Sequence, residues 1–283
     1  MAVAGGELRE AEILAERALA FARASGVHRE EIRAQWALVN ALRTGPTAVP
    51  TAIARCEELL AAAPDSLVGT VGVSGTLGVL RAMNGEIDEA RRLIGQARGI
   101  LVGIAHPQPL MVSASWAARI EVLAGDLAAA ESVYRGGRDL ARAIGASWQA
   151  DALAIGLADV LCSQGRIDEA AQLLNDVAEP ARAAILSSSP SWRAARARVH
   201  AAQGEFAEAE RLAREAATAL RATDLLDWQG DAELALAEVL CSRGDSKGAT
   251  AALQRALDAY ARKGNKAALA RGQQLTGQRP AAR

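Results

Sequence analysis

Few residues in this chain could do chemistry, and they are scattered. The stretch VGTVGVSGTLG carries Gly69, Gly72, Gly75 and Gly78 at every third position. A glycine-rich loop can cradle phosphate, but that chemistry needs a Gly-Lys-Ser/Thr ending and a preceding strand, and the stretch has neither. The three histidines, His28, His106 and His200, show no metal-ligand spacing. Cys56, Cys162 and Cys241 are too few and too widely spaced for a disulfide framework, and they suit a reducing compartment. One Cys-His nucleophile pair is conceivable, His200 with Cys241. The remaining feature is a column of charges, Arg119, Asp159, Arg198 and Glu238, alternating in sign at steps of 40, 39 and 40 residues. Such a column can be a ladder of ion pairs or the wall of a peptide-binding groove.

The elements that carry this column are visible as a repeat. Gly6, Gly45, Gly85, Gly125, Gly165, Gly204 and Gly244 follow one another at steps of 39 or 40 residues. Five residues after each stand Ala11, Pro50, Ala90, Ala130, Ala170, Ala209 and Ala249. Seven before stand Leu38, Gly78, Ala118, Ala158, Ala197 and Ala237, most of them small. A glycine that ends one helix in the left-handed conformation is commonly followed by an acidic residue that suits the next N-terminus, as at Glu7, Glu86, Asp126, Glu205 and Asp245. Small residues on both helices let the axes approach. Each unit therefore reads as a helix hairpin of about 40 residues that stacks on its neighbours.

Composition supports an all-helical reading. Ala, Leu, Glu and Arg dominate the 283 residues, and no convincing strand alternation appears. The formal net charge is −1 and aromatics make up 3%, which speaks against a nucleic-acid surface. No stretch offers the roughly 20 apolar residues a membrane helix needs, and the start MAVAGGELREAE is no signal peptide. The expectation is a cytoplasmic protein with no nucleic-acid and no membrane partner.

Several local expectations follow. Four glycines should weaken the helix over residues 69–80 by roughly 1 kcal/mol each relative to Ala, so a neighbouring helix should approach closely there. The alternative is a hollow in the groove at Gly72 and Gly75. Trp36, Trp116, Trp148, Trp192 and Trp228 are expected to pack within or between repeats, or one of them to stand exposed as an anchor. Cys162 and Cys241 hold the same repeat position, three before a glycine, which argues for packing rather than chemistry. Two repeats would separate them by roughly 20 Å at about 10 Å per helix layer.

The segments LADVLCSQGRIDEAAQLL and LAEVLCSRGDSKGATAAL resemble the tetratricopeptide repeat (TPR) family: a small residue in the first helix, a Gly-Asp/Glu-type turn, an Ala in the second helix. The period of about 40 exceeds that family's usual 34, the family's aromatic in the second helix appears only as Tyr134, and its helix-end proline is mostly absent. The long Ala-rich repeats and the closing phrase ALDAYARKGNKAALARGQQL resemble the C-terminal arms of bacterial LuxR-type or cyclase-linked ATPase regulators. The resemblance implies an all-α, right-handed superhelical array of stacked antiparallel hairpins. In that family first helices line the concave face, which places Gly72, Gly75, Arg119, Asp159, Arg198 and Glu238 in a candidate partner groove.

As one domain, residues 1–276 would form about seven hairpins, with a final helix near Lys266–Leu275 and a loose tail at 277–283. The chain opens in mid-repeat, so it is expected to continue N-terminally or to pair with its own copy through an uncapped first repeat. The expected function is a protein-protein interaction or sensor module, the regulatory arm of a bacterial signalling or transcription-regulating ATPase. The alternatives are a free-standing adaptor or a small-ligand-binding TPR protein and, behind them, an enzyme with a site in the superhelix groove. No catalytic residue, metal site or cofactor is expected.

Overall fold

A computed structural model describes residues 8–62, 67–103, 107–177 and 191–277. Gly6, His106 and residues 278–283 of the expected tail lie outside them. Among the described residues there are fourteen helices and no strand. They are α1 (Leu8–Ser25), α2 (His28–Thr44), α3 (Val49–Ala62), α4 (Leu67–Met83), α5 (Ile87–Gly103), α6 (Pro107–Ala124), α7 (Leu127–Ala143), α8 (Ser147–Ser163), α9 (Ile167–Asn175), α10 (Ser191–Ala202), α11 (Phe206–Arg221), α12 (Leu226–Ser242), α13 (Ser246–Lys263) and α14 (Lys266–Gly277). Six hairpins, each an even-numbered helix followed by an odd one, run from α2 to α13. The single helices α1 and α14 flank them.

The marker glycines close the hairpins through one recurring turn. Gly85, Gly125, Gly165, Gly204 and Gly244 have φ between 78° and 93°. The next residue in each case donates its N–H to a carbonyl five positions back, as Glu86 does to Arg81 at 2.9 Å and Asp245 to Leu240 at 2.9 Å. This is the left-handed helix ending that glycine favours. Gly45 differs from that expectation, with φ −80° and ψ −168°. Its neighbour is Pro46, and a residue before proline is pushed into extended backbone. Asp126 and Asp245 cap the next helix by accepting from Ala129 N at 3.0 Å and Gly248 N at 2.8 Å.

The alanines that follow the glycines are the contact points of each hairpin. Ala90, Ala130, Ala170, Ala209 and Ala249 are all fully buried. Facing positions Ala118, Ala158 and Ala197 are fully buried too. Even-numbered helices pack on one another in succession from α2 to α12, and among the described residues odd-numbered helices show no comparable mutual packing. The first helices therefore line the inside of the curve.

The curve continues until its end meets its beginning. Helix α12 packs on α2, and α14 packs on α4 and α6. The largest apolar cluster joins both ends, holding Leu38 and Val79 together with Leu236 and Ala268. The middle of the chain has separate, smaller clusters around α8–α10 and α6–α8.

Candidate functional site

The charge column stands on first helices, as its spacing implies, but it divides into two unlike parts. In the second part, Arg198 on α10 bridges α8 and α12. Its Nη1 donates to Asp159 Oδ1 at 2.5 Å and its Nε to Glu238 Oε2 at 2.6 Å. The Arg198 side chain is 17% exposed, while Asp159 and Glu238 are 46% and 42% exposed. Burial opposes the charge on Arg198, but Asp159 and Glu238 outweigh it and hold the guanidinium above its ordinary value. Beside this triad lies a cleft of about 270 Å³, lined by Cys162, Ile167, Arg198, Ala201, Glu238 and Val239 among others. It has a small apolar floor and one carboxylate left facing solvent on each side of the arginine.

Arg119, on α6, leaves the column. It does not pair with Asp159 in the next repeat. It crosses the inside of the curve to α12, where Nη2 lies 2.7 Å from Asp227 Oδ2 and 3.1 Å from Asp231 Oδ2. Around it a polar cluster assembles. Asn265 Nδ2 donates to Asp227 Oδ1 at 2.5 Å, and Tyr260 OH donates to Asp231 Oδ1 at 2.8 Å. Burial raises the Asp231 carboxyl, against the pull of Arg119. Burial and then the Asp231 charge lift the Tyr260 phenol well above its usual 10. A carboxylate pair four residues apart on one helix thus shares a single arginine.

Lys263 sits at the edge of this cluster and is fully buried. Its Nζ donates to the Leu42 carbonyl in the last turn of α2 at 2.9 Å and to the Gly45 and Thr47 carbonyls of the α2–α3 connection at 2.7 and 2.8 Å. Burial pulls its ammonium down to about 8, with Asp227 opposing and Arg43 assisting. Asp224 reaches back in the same way and accepts the Leu8 and Arg9 N–H groups at the start of α1, at 2.9 and 2.8 Å.

The two glycines of the candidate groove present no hollow. A Cβ on Gly72 would lie 2.6 Å from the Trp36 ring, and one on Gly75 would lie 2.3 Å from the Trp116 ring. The chain's own indoles take that space, 5.7 Å apart between centroids. Gly78 admits the α5 backbone, with Ala90 O only 3.2 Å from where its Cβ would stand. Gly72, Gly75 and Gly78 of α4 are thus notches for two tryptophans and one helix. Trp148, by contrast, is 66% exposed, and Arg196 lies over the Trp192 ring.

Among the described residues no nucleophile comes together with its base. His200 Nδ1 lies 2.5 Å from Glu205 Oε2. Cys241 is exposed. Burial, then the Asp159 charge, pushes the Cys162 thiol up to about 12, so it stays a thiol at neutral pH. Among the described residues no group of His, Cys, Asp and Glu could hold a metal ion, and no helix is long and apolar enough to cross a membrane.

With the geometry in view, the architecture can be set beside known proteins. No family model and no curated protein matches this sequence. Solved structures do resemble it. NprR in complex with its cognate peptide NprX aligns with TM-score 0.59 at 11% identity, over 93% of this chain and 72% of that one. BtubC from P. vanneervenii aligns with TM-score 0.51 at 15% identity, over 86% and 95%. A tetratricopeptide repeat protein from Parabacteroides merdae aligns with TM-score 0.50 at 14% identity, over 96% and 93%. The fold is a TPR-like α-solenoid.

Sequence spacing placed Asp159, Arg198 and Glu238 together. It did not find Asp227, Asp231, Tyr260, Lys263 or Asn265. One signal was present: a lysine, a glycine and an asparagine in succession at 263–265, the pattern of a capped helix end followed by a helix-starting asparagine. Their partners lie up to 221 residues away, and no local pattern encodes that.

Proposed function

We propose that this chain is a protein-interaction module that holds a peptide or a helix of a protein partner against the concave wall of α8, α10 and α12. One observation carries the reading. That wall combines a cleft of about 270 Å³ with the Asp159–Arg198–Glu238 triad, on the inside of a solenoid. The triad fixes orientation through charged hydrogen bonds, and the floor of Ala201, Ala202 and Val239 accepts a small apolar side chain. NprR, which has a similar fold, is seen holding its cognate peptide, and this supports the same use of the curve here. The long Ala-rich repeats support a place as the regulatory arm of a bacterial signalling or transcription-regulating ATPase; a free-standing adaptor or a small-ligand sensor would use the same wall.

Partner capture tests the reading. Proteins retained by the full chain from its source cells are identified, and the dominant one is remeasured against Arg198→Glu and Glu238→Lys. The expected result is at least a tenfold weaker Kd for either variant, with helical content unchanged. Equal binding by both variants would remove the wall from the interface.

A further inference from the structure

We infer that the exposed face of α1 is a docking site for one helix of another polypeptide, seated antiparallel to α1 as each first helix is seated on its second, with small residues four positions apart. The site stands on other elements than the α8–α10–α12 wall and does not depend on it.

By its count from Gly6, α1 is a second helix, equivalent to α5, α7, α9, α11 and α13. Five, eight and twelve positions after the marker glycine, α5 has Ala90, Leu93 and Ala97, and α11 has Ala209, Leu212 and Ala216, all buried. In α1 the same positions hold Ala11, Leu14 and Ala18. Ala11 is half-buried, Leu14 is 52% exposed and Ala18 is exposed. Phe21 follows on the same row at 71% exposed, and the exposed Ile13 flanks it. Helix α1 packs on α2, and its buried row is a different one: Ala15, Leu19 and Ala22. Among the described residues no other helix exposes three large apolar side chains. The outer face of a terminal repeat is normally polar, and a contiguous apolar row there marks an interaction site.

The complete hairpins show what covers this row. On α4 a Cβ at Gly78, seven before the marker, would stand 3.2 Å from Ala90 O and 3.6 Å from Leu93 Cβ. On α7 a Cβ at Gly137, twelve after the marker, would stand 2.5 Å from Ala114 Cβ of α6. A first helix therefore sets one small residue against the fifth and eighth positions and another, four residues earlier, against the twelfth. Ala114 with Ala118 on α6 and Ala154 with Ala158 on α8 hold these two places, all buried. The occupant of the α1 row is thus an amphipathic helix with small residues at i and i+4 of its apolar face; larger ones would hold the two axes apart. Helix α1 is already fixed to receive it. At the seam where the two ends of the curve meet, Asp224 accepts the Leu8 and Arg9 N–H groups. Arg55 of α3 pairs with Glu16 at 2.7 Å, and Arg23 pairs with Glu31 of α2 at 2.9 Å. A row presented on a fixed helix lowers the ordering cost of association.

The test is the binding of a labelled synthetic peptide to the full chain, followed by fluorescence anisotropy and by hydrogen exchange. The peptide has the α8 sequence, Ser147–Ser163, with Cys162→Ser. The expected result is saturable binding that slows amide exchange in α1. Kd should weaken roughly tenfold or more for the Leu14→Glu chain, for the Ala18→Arg chain, and for a peptide carrying Ala154→Leu and Ala158→Leu. Both chain variants alter solvent-facing side chains, so helical content stays as in wild type. No binding, equal binding by the variants, or protection confined to α8, α10 and α12 overturns the docking site. A dimer of the chain alone that Leu14→Glu dissociates, seen by sedimentation, would give the row to a second copy and overturn the proposed occupant.

Discussion

Arg119 and Arg198 occupy equivalent positions on α6 and α10, and each holds two carboxylates. Their surroundings make them different devices. The acids of Arg198 come from the adjacent first helices and remain more than 40% exposed. Those of Arg119 come from a helix more than 100 residues away, and Asp227 among them is 4% exposed. Water reaches both carboxylates of the first set, whereas in the second it reaches Asp231 and is kept from Asp227. The same residue type at the same repeat position is thus a solvent-facing bridge between neighbouring helices in one half and a tie across the curve in the other. Repeat position sets where a side chain starts; the curvature of the array sets what it meets.

The sharpest way to break this comparison is to remove one acid from each set. Asp227→Ala leaves Arg119 with Asp231 alone and the buried Asn265 amide without its acceptor, and is expected to cost about 1–3 kcal/mol in urea unfolding. Glu238→Ala, at the exposed set, is expected to cost about 0–1 kcal/mol. Equal losses would erase the distinction.

A pH series sharpens it further. Folding brings Lys263 from its ordinary 10.5 down to about 8. Between those values the unfolded chain holds a proton that the folded chain has released, so stability from this group rises with pH through that window and is flat below it. The stability difference between wild type and Lys263→Met should therefore grow in favour of wild type from pH 8 to 10.5, by on the order of 3 kcal/mol. A flat difference would mean that the ammonium is not buried at the seam.

Glycine substitutions compare the packed and open faces at smaller cost. At Gly75 an added methyl gains about 1 kcal/mol of helix propensity but meets the Trp116 ring at 2.3 Å. Overpacking costs about 1–3 kcal/mol, so Gly75→Ala should destabilise. Gly95 on α5 is exposed with open space around its Cβ position, and Gly95→Ala should stabilise by about 0.4–1 kcal/mol. Thermal melts of the two variants would show opposite signs.

What the sequence discloses and what it hides follow from the range of each interaction. The hairpins are legible because Gly85 and its equivalents need a left-handed turn and Ala90 and its equivalents need a close helix, and both demands recur every 40 residues. The Asp159–Arg198–Glu238 triad is legible for the same reason. The notches at Gly72 and Gly75 are only half legible: the glycines announce a close approach, but nothing local says that Trp36 and Trp116 fill them. Gly45 shows a local rule overriding the repeat, since Pro46 turns a left-handed position into an extended one. The seam is not legible at all. Lys263 meets the α2–α3 connection only because the summed curvature of six hairpins brings it there, and that sum is a property of the whole array.

The most direct test of the closed solenoid is a distance across its seam. Spin labels at exposed positions Ala48 and Lys266, in a full chain with Cys162 and Cys241 replaced by Ser, report whether α14 meets the α2–α3 connection. Gly264 already lies within contact of Val49 and Pro50, so the account predicts one short, narrow distance distribution. A long or broad distribution would contradict it and leave an open superhelix whose two charge clusters never meet across the groove.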